Sequence, residues 1–353
     1  MLGQHTFHEI TSQADAWADA LAAFHSRRVH VASSWRSLQP QEVLFTGCGS
    51  THYLSQTAAW LLQGLTGVPA RGIAASEIVF YGQQVVAAPP RTLLVAVSRS
   101  GTTSETQVAM QRFRELGGAV WSITCYPESP VGAGSDLVLP AVAAQEQSIA
   151  QTRSFSSMLL LAQALAATAA GHDISVLDTL PGHARSLLDA NAGLAQALGS
   201  RADLRQVFFL GSGPQYGVAN EAMLKLKEMS ISHSEAYHFM EFRHGPKSMV
   251  DAQTLVVALL GDAAFEHEQA VLDEMAALGA TTLALLPSHR SARAAEVVHL
   301  PADLPWWASP VLYLPTLQLL AYHRAASKGL DPDHPRHLDA VITLDLDALA
   351  GKN

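Results

Sequence analysis

Two segments of this chain follow the same order of features. "EVLFTGCGSTHYLSQTAAWLLQGL" and "QVFFLGSGPQYGVANEAMLKLKEMS" each pass from a short apolar run through Gly-x-Gly and a polar residue into a long helical pattern. They lie about half a chain apart in a sequence of 353 residues. That period far exceeds the roughly 20–50 residues of solenoid repeats, so it marks two copies of one α/β unit. Further apolar runs follow each copy: "TLLVAV", "AVWSITCY" and "DLVLPAV" after the first, "TLVVALLG", "TTLALLP" and "EVVHLP" after the second. Helical patterns separate them, "SRSGTTSETQVAMQRFRELGG" in the first half and about Ala264 to Leu278 in the second. Strands alternating with helices of this length predict parallel sheets with helices on both faces.

The expected fold is therefore α/β, two tandem three-layer (αβα) domains. Helices would fill residues 1–40, the domains 41–199 and 200–345, and a tail 346–353. Hydrophobic residues at 48% and charged residues at 15% supply enough apolar side chain for two cores. The formal net charge of -9 argues against nucleic acid or an anionic membrane as the main partner. Cys48 and Cys125 are the only cysteines, too few for a disulfide framework and consistent with a reducing compartment. The N-terminus shows no basic segment followed by an apolar one, and stretches such as "LLLAQALAATAAG" are too short to span a bilayer. A soluble cytoplasmic protein is expected.

Gly-x-Gly at a strand end is in itself a tight βα turn. The dinucleotide fingerprint needs a third glycine, and His52 and Tyr216 stand at that position, which argues against a nicotinamide cofactor. The loop "SRSGTTSET" carries more chemistry. Ser98, Ser100 and Thr103 offer hydroxyls, Gly101 allows close backbone approach, and Arg99 adds charge. At a strand's carboxyl end and a helix's N-terminus, this composition suits a phosphate. The same residues also suit a plain helix cap.

A resemblance bears on that choice. "GCGST", "SRSGTTSET", "EQSIAQTRSF", "LKLKEMS", "SEAYHFMEFRHGP" and "LQLLAYHRAASKGLDPDHPRHL" resemble double sugar isomerase (SIS) domain proteins over about residues 40 to 345. The chain is similar to the isomerase half of glucosamine-6-phosphate synthases and to stand-alone amino-sugar-phosphate deaminases and isomerases. The resemblance implies a phosphosugar held by Ser98, Arg99, Ser100 and Thr103, with Gly49, Ser50 and Thr51 at the neighbouring strand end. Ile149 and Gln151 would sit near the sugar.

Aldose–ketose conversion moves a proton between C1 and C2 and needs a base near carbon and a group that opens the ring. Read from the residues, Glu228 is an ordinary helix-face glutamate paired with Lys225. The resemblance makes it the enediol base, and Lys225 and Glu221, upstream on the same face, would orient it. His244 lies in a loop broken by Gly245-Pro246, histidine is a residue type suited to proton transfer, and the resemblance makes it the group that opens the sugar ring. In the related synthases this histidine comes from the adjacent subunit, which implies a homodimer with shared sites. Glu241 and Arg243 would fix its loop.

Two departures from the synthases stand out. An ungapped comparison puts Ala340 where they carry a catalytic tail lysine, with His337 the nearest titratable substitute. The chain also starts at the helix before the first sugar half, so a glutamine-hydrolysing domain and its cysteine nucleophile are not expected. The expected activity is conversion of glucosamine 6-phosphate to fructose 6-phosphate and ammonia, with no cofactor. A fructosamine-6-phosphate deglycase and a plain ketose–aldose isomerase are the enzymatic alternatives; a non-catalytic sugar-phosphate sensor is the alternative of another class. Sixteen histidines show no metal-binding spacing, and no metal is expected.

Overall fold

In a computed structural model, residues 2–339 are described. Helices α1 (Gln4–Thr11) and α2 (Gln13–Leu38) come first, as the amphipathic pattern of the first forty residues predicts. Then follow β1 (Glu42–Gly47), α3 (Ser50–Thr66), β2 (Ala70–Ala74), α4 (Ala75–Val85), β3 (Thr92–Ser98) and α5 (Ser104–Glu115). The segment continues with β4 (Ala119–Thr124), α6 (Pro130–Ala133), β5 (Leu137–Pro140) and α7 (Arg153–Ala169). After α8 (Leu180–Gly199) come β6 (Gln206–Gly211), α9 (Pro214–Ser230), β7 (His233–Tyr237) and α10 (Phe239–Phe242). The described chain closes with β8 (Thr254–Leu259), α11 (Phe265–Ala277), β9 (Thr281–Pro287), β10 (Glu296–Leu300) and α12 (Leu314–Ser327).

The chain divides into two compact units. One holds residues 12–146 and 151–181 with the first sheet; the other holds residues 2–11, 147–150 and 182–338 with the second. Both sheets are five-stranded, in the orders β2-β1-β3-β4-β5 and β10-β9-β8-β6-β7. All pairings are parallel. Read from the other edge, the second order is the first with five added to each number, so the duplication extends to topology.

Central strands are apolar along their length because helices cover both faces. Every residue of β3 and of β8 is buried. Leu44, Leu94, Phe113 and Val120 anchor one core of the first unit, and Phe208, Val256, Leu272 and Met275 one core of the second. Each such side chain contributes roughly 1.5–3 kcal/mol by leaving water. The edge strands β2 and β7 are mostly half-buried, which explains why no apolar run marks them in the sequence.

The two Gly-x-Gly turns share a backbone conformation as well as a sequence. Gly49 (φ 57°, ψ -125°) and Gly213 (φ 57°, ψ -131°) are the N-caps of α3 and α9. The positive φ favours glycine at both. Among the described residues no helix is long and apolar enough to cross a membrane.

Candidate active site

In the first sheet, strand order reverses at β1, which pairs with β2 on one side and β3 on the other. Chains leaving β1 and β3 there part to opposite faces and open a crevice at the strands' carboxyl ends, where open α/β sheets bind ligands. Seven of the sequence-derived residues meet at these two strand ends: Gly49, Ser50 and Thr51 after β1, and Ser98, Arg99, Ser100 and Thr103 after β3.

The turn after β1 is closed by Thr51. Its Oγ1 accepts from the Cys48 N–H (2.9 Å) and donates to the Cys48 carbonyl (2.9 Å). The turn after β3 is held by its own hydroxyls. Ser98 Oγ accepts from the Gly101 N–H (3.1 Å), and Ser100 Oγ accepts from the Thr102 N–H (3.2 Å) and hydroxyl (3.1 Å). Gly101 adopts φ 66°, and a Cβ there would lie 1.7 Å from Ser129 Oγ. The loop is also tied to the segment after β4, since Arg99 O accepts from the Cys125 N–H (3.3 Å) and Gly101 O from the Val131 N–H (3.0 Å).

Thr103 is the N-cap residue of α5, yet among the described residues its side chain makes no capping hydrogen bond. The hydroxyls of this loop are therefore not spent on capping α5 as an ordinary cap would require. The macrodipole of α5 favours an anion at this point.

The Arg99 guanidinium, 9% exposed, lies 3.6 Å from a Glu146 carboxylate whose side chain is wholly enclosed. Burial holds His52, in the first turn of α3, below its ordinary pKa, so it is neutral at pH 7 and adds no charge. Burial also pushes the Cys48 thiol up to about 11 and the Cys125 thiol higher still, so neither is a thiolate nucleophile at neutral pH.

Gln151 belongs to the same unit, next to Thr152, the N-cap of α7, and its Oε1 is buried without a hydrogen-bond partner among the described residues. Ile149 belongs to the second unit, its N–H donating to the Asp333 carbonyl (3.0 Å).

In the second unit, α9 carries Glu221, Lys225 and Glu228 along one face. Lys225 Nζ donates to Glu228 Oε2 and stands 3.6 Å from Glu221 Oε1. Lys225 is 2% exposed, Glu221 fully buried, and the Glu228 side chain keeps 20% exposure. This fits a residue that is fixed yet reachable. Below Glu228 the helix ends at Ile231, in the left-handed region (φ 48°). Lys328 Nζ secures that end through the Ser230 carbonyl (3.0 Å) and Ser232 Oγ (2.9 Å).

His244 follows α10 and is exposed. Arg243 Nη2 reaches Glu274 Oε1 (2.5 Å) and Lys247 Nζ lies 3.7 Å from Glu274 Oε2, so two cations pin the loop to α11. Glu241, expected to help, is exposed, and its carbonyl accepts from the His244 N–H (3.0 Å). His337 is exposed at φ 63°. Ala340 lies outside the described residues. Among those residues no three His, Cys, Asp or Glu side chains gather as a metal site would require.

Sequence reasoning passed over Glu146, although it begins the segment "EQSIAQTRSF", and Lys328. A glutamate in a polar stretch carries no sequence sign that folding will enclose it. His238, also passed over, stacks on Tyr216 (centroids 3.7 Å apart, planes at 21°) beside the second Gly-x-Gly turn.

A family model described as the SIS domain matches residues 38–168 and 202–327. A glutamine–fructose-6-phosphate aminotransferase (isomerizing) of Pyrobaculum aerophilum is 31% identical over 348 residues, covering 96% of this chain and 57% of that protein. Its counterpart in Pseudomonas putida is 32% identical over 322 residues, covering 86% of this chain and 52% of that one. The chain thus spans little more than half the length of these curated relatives. Among solved structures, a glucosamine-6-phosphate deaminase from Thermotoga maritima superposes with a TM-score of 0.82 at 29% identity, covering 97% of this chain and all (100%) of that one. A tagatose-6-phosphate ketose/aldose isomerase from Escherichia coli gives 0.84 at 22% identity, with 95% and 98% covered, a likeness of fold alone.

Proposed function

Because the chain belongs to the SIS domain family, we propose that it binds a phosphosugar and acts as an amino-sugar-phosphate deaminase/isomerase. Its substrate on this reading is glucosamine 6-phosphate and its products are fructose 6-phosphate and ammonia. The observation that carries the reading is the hydroxyl-rich loop Ser98–Thr103 at the β1/β3 switch point, whose N-cap hydroxyl is not used for capping. The full-length match to a glucosamine-6-phosphate deaminase supports the choice of reaction.

The phosphate is held by Ser98, Ser100, Thr103 and the loop N–H groups, with Gly49, Ser50 and Thr51 beside it. Ile149 and Gln151 contact the sugar. His244, supplied by the second subunit of a homodimer, moves the proton that opens the ring. Glu228 takes the proton from C2 and returns it to C1 while a second proton passes from the C2 amine to the C1 oxygen, turning the open-chain aldose with its C2 amine into a C2 imine with a C1 hydroxyl. Water adds to the imine carbon, ammonia leaves, and the C2 ketone remains. No oxidant, metal or organic cofactor enters this balance.

The test is ammonia release from purified protein given glucosamine 6-phosphate, with fructose 6-phosphate followed by a coupled assay. Equal amounts of both are expected. Glu228→Gln should lower kcat by roughly 10²–10⁴-fold, the usual worth of a positioned base, while leaving sugar-phosphate binding in place. Neither product appearing, while glucosamine 6-phosphate still raises Tm, would replace this reading with a sensor or another fructosamine substrate.

A further inference from the structure

Glu146 is a carboxylate enclosed on every side. Its Oε1 accepts from the Thr152 N–H (2.7 Å), the Thr152 hydroxyl (2.9 Å) and the Ser154 N–H (3.1 Å), and its Oε2 accepts from the Ser154 hydroxyl. It therefore fills the N-terminus of α7 as an internal anion, in the way a helix end holds a phosphate. The same Oε2 lies 3.6 Å from Arg99 Nη1, and Arg99 sits inside the phosphate loop. Cys125 is buried among Glu146, Arg99 and Arg153, whose opposing charges all act on its thiol.

We propose that Glu146 is a positioning residue that holds Arg99 in an internal ion pair, so that Arg99 shapes the loop rather than gripping the phosphate, and phosphate binding is kept weaker than the loop would otherwise allow. The inference rests on the phosphosugar reading above. Its physical basis is that a buried carboxylate next to a cation cancels the field that the cation would offer an arriving dianion. The dianion is then bound by hydroxyls and N–H groups. A catalyst gains by this arrangement, because tight uniform binding of substrate does not raise kcat.

Glu146→Gln tests the sign. Glutamine can still accept from Thr152 and the Ser154 N–H through its carbonyl, while its amide donates to Ser154 Oγ, so the α7 end survives and only the charge is lost. Binding of inorganic phosphate and of glucosamine 6-phosphate is measured by titration calorimetry on the wild type, Glu146→Gln, Arg99→Gln and the double variant. The proposal expects Glu146→Gln to bind phosphate about tenfold more tightly, with steeper salt dependence. Arg99→Gln leaves the Glu146 charge uncompensated and should weaken phosphate binding about tenfold, while the double variant, which removes both charges, should return to within about twofold of the wild type. A purely structural role would weaken binding instead. A folded Glu146→Gln that binds no more tightly than the wild type overturns the proposal, as does a double variant that binds more than about tenfold more weakly than the wild type, since Arg99 would then grip the phosphate directly. Should Glu146→Gln fail to fold, the double variant, in which no buried charge is left unpaired, decides alone. A wild type that binds neither probe sinks the phosphosugar reading separately, and the present proposal then stands only if Glu146→Gln gains binding.

Discussion

Lys225 and Glu228 are joined one helical turn apart on α9, the Lys225 ammonium donating to Glu228 Oε2 while also lying 3.6 Å from Glu221. One buried cation thus faces two carboxylates. Its geometry fixes the rotamer of the residue proposed as the carbon base, which a solvent-facing glutamate would not have.

Removing that cation should be costly. Lys225→Met removes the cation that faces both Glu221 and Glu228, and a buried pair broken on one side typically costs about 3–5 kcal/mol. The partial exposure of Glu228 places the expected loss near the lower end, about 3 kcal/mol by urea denaturation. Adding Glu221→Gln should recover part of it. A loss below about 1 kcal/mol in Lys225→Met would mean the cluster is not what fixes Glu228.

His244→Ala should leave Tm nearly unchanged, because the residue is exposed. If it opens the ring, turnover should fall more for the cyclic sugar than for an open-chain analogue. Subunits carrying Glu228→Gln and His244→Ala, mixed and shown to exchange, should regain part of the activity. No recovery after confirmed exchange would rule out sites shared between subunits.

Gly101→Ala combines a left-handed φ of 66° with a Cβ placed 1.7 Å from Ser129 Oγ. The loop must shift, so phosphate-induced stabilisation should disappear and Tm should drop by several degrees. Gly67→Ala is the control. It has a similar φ of 73° but nothing within 4 Å of the added carbon, so it should cost only the backbone strain, roughly 1 kcal/mol.

Stability at low pH should depend on Asp333. Burial alone would raise its pKa, but hydrogen bonds from the Thr6 hydroxyl (2.7 Å), the Thr6 N–H (2.7 Å) and the His5 N–H (3.1 Å) outweigh it and hold the carboxyl below its usual value. A depressed folded pKa gives stability that is present above the unfolded value, near 3.9, and is lost as pH falls through the folded one. Below about pH 4 the wild type should therefore lose Tm more steeply than Asp333→Asn. Parallel curves would show that these hydrogen bonds do not favour the ionised form.

The duplicated α/β architecture is legible in the sequence, because an apolar run, a Gly-x-Gly turn and a helical period are local signals and they recur half a chain apart. The sequence likewise marked Ser98–Thr103 as exceptional, since four hydroxyls and a glycine exceed what one cap uses. The short edge strands β2 and β7 escaped notice because half-buried strands have no reason to be uniformly apolar. Where charge is enclosed, by contrast, emerges only on folding. Glu146 and Arg99 are 47 positions apart in chain order, and nothing local separates an enclosed glutamate from a solvated one. Lys328 fastening the end of α9, nearly a hundred residues upstream, belongs to the same class. Desolvation and ion pairing depend on which segments fold over a side chain, and that is a property of the packed chain rather than of any stretch of it.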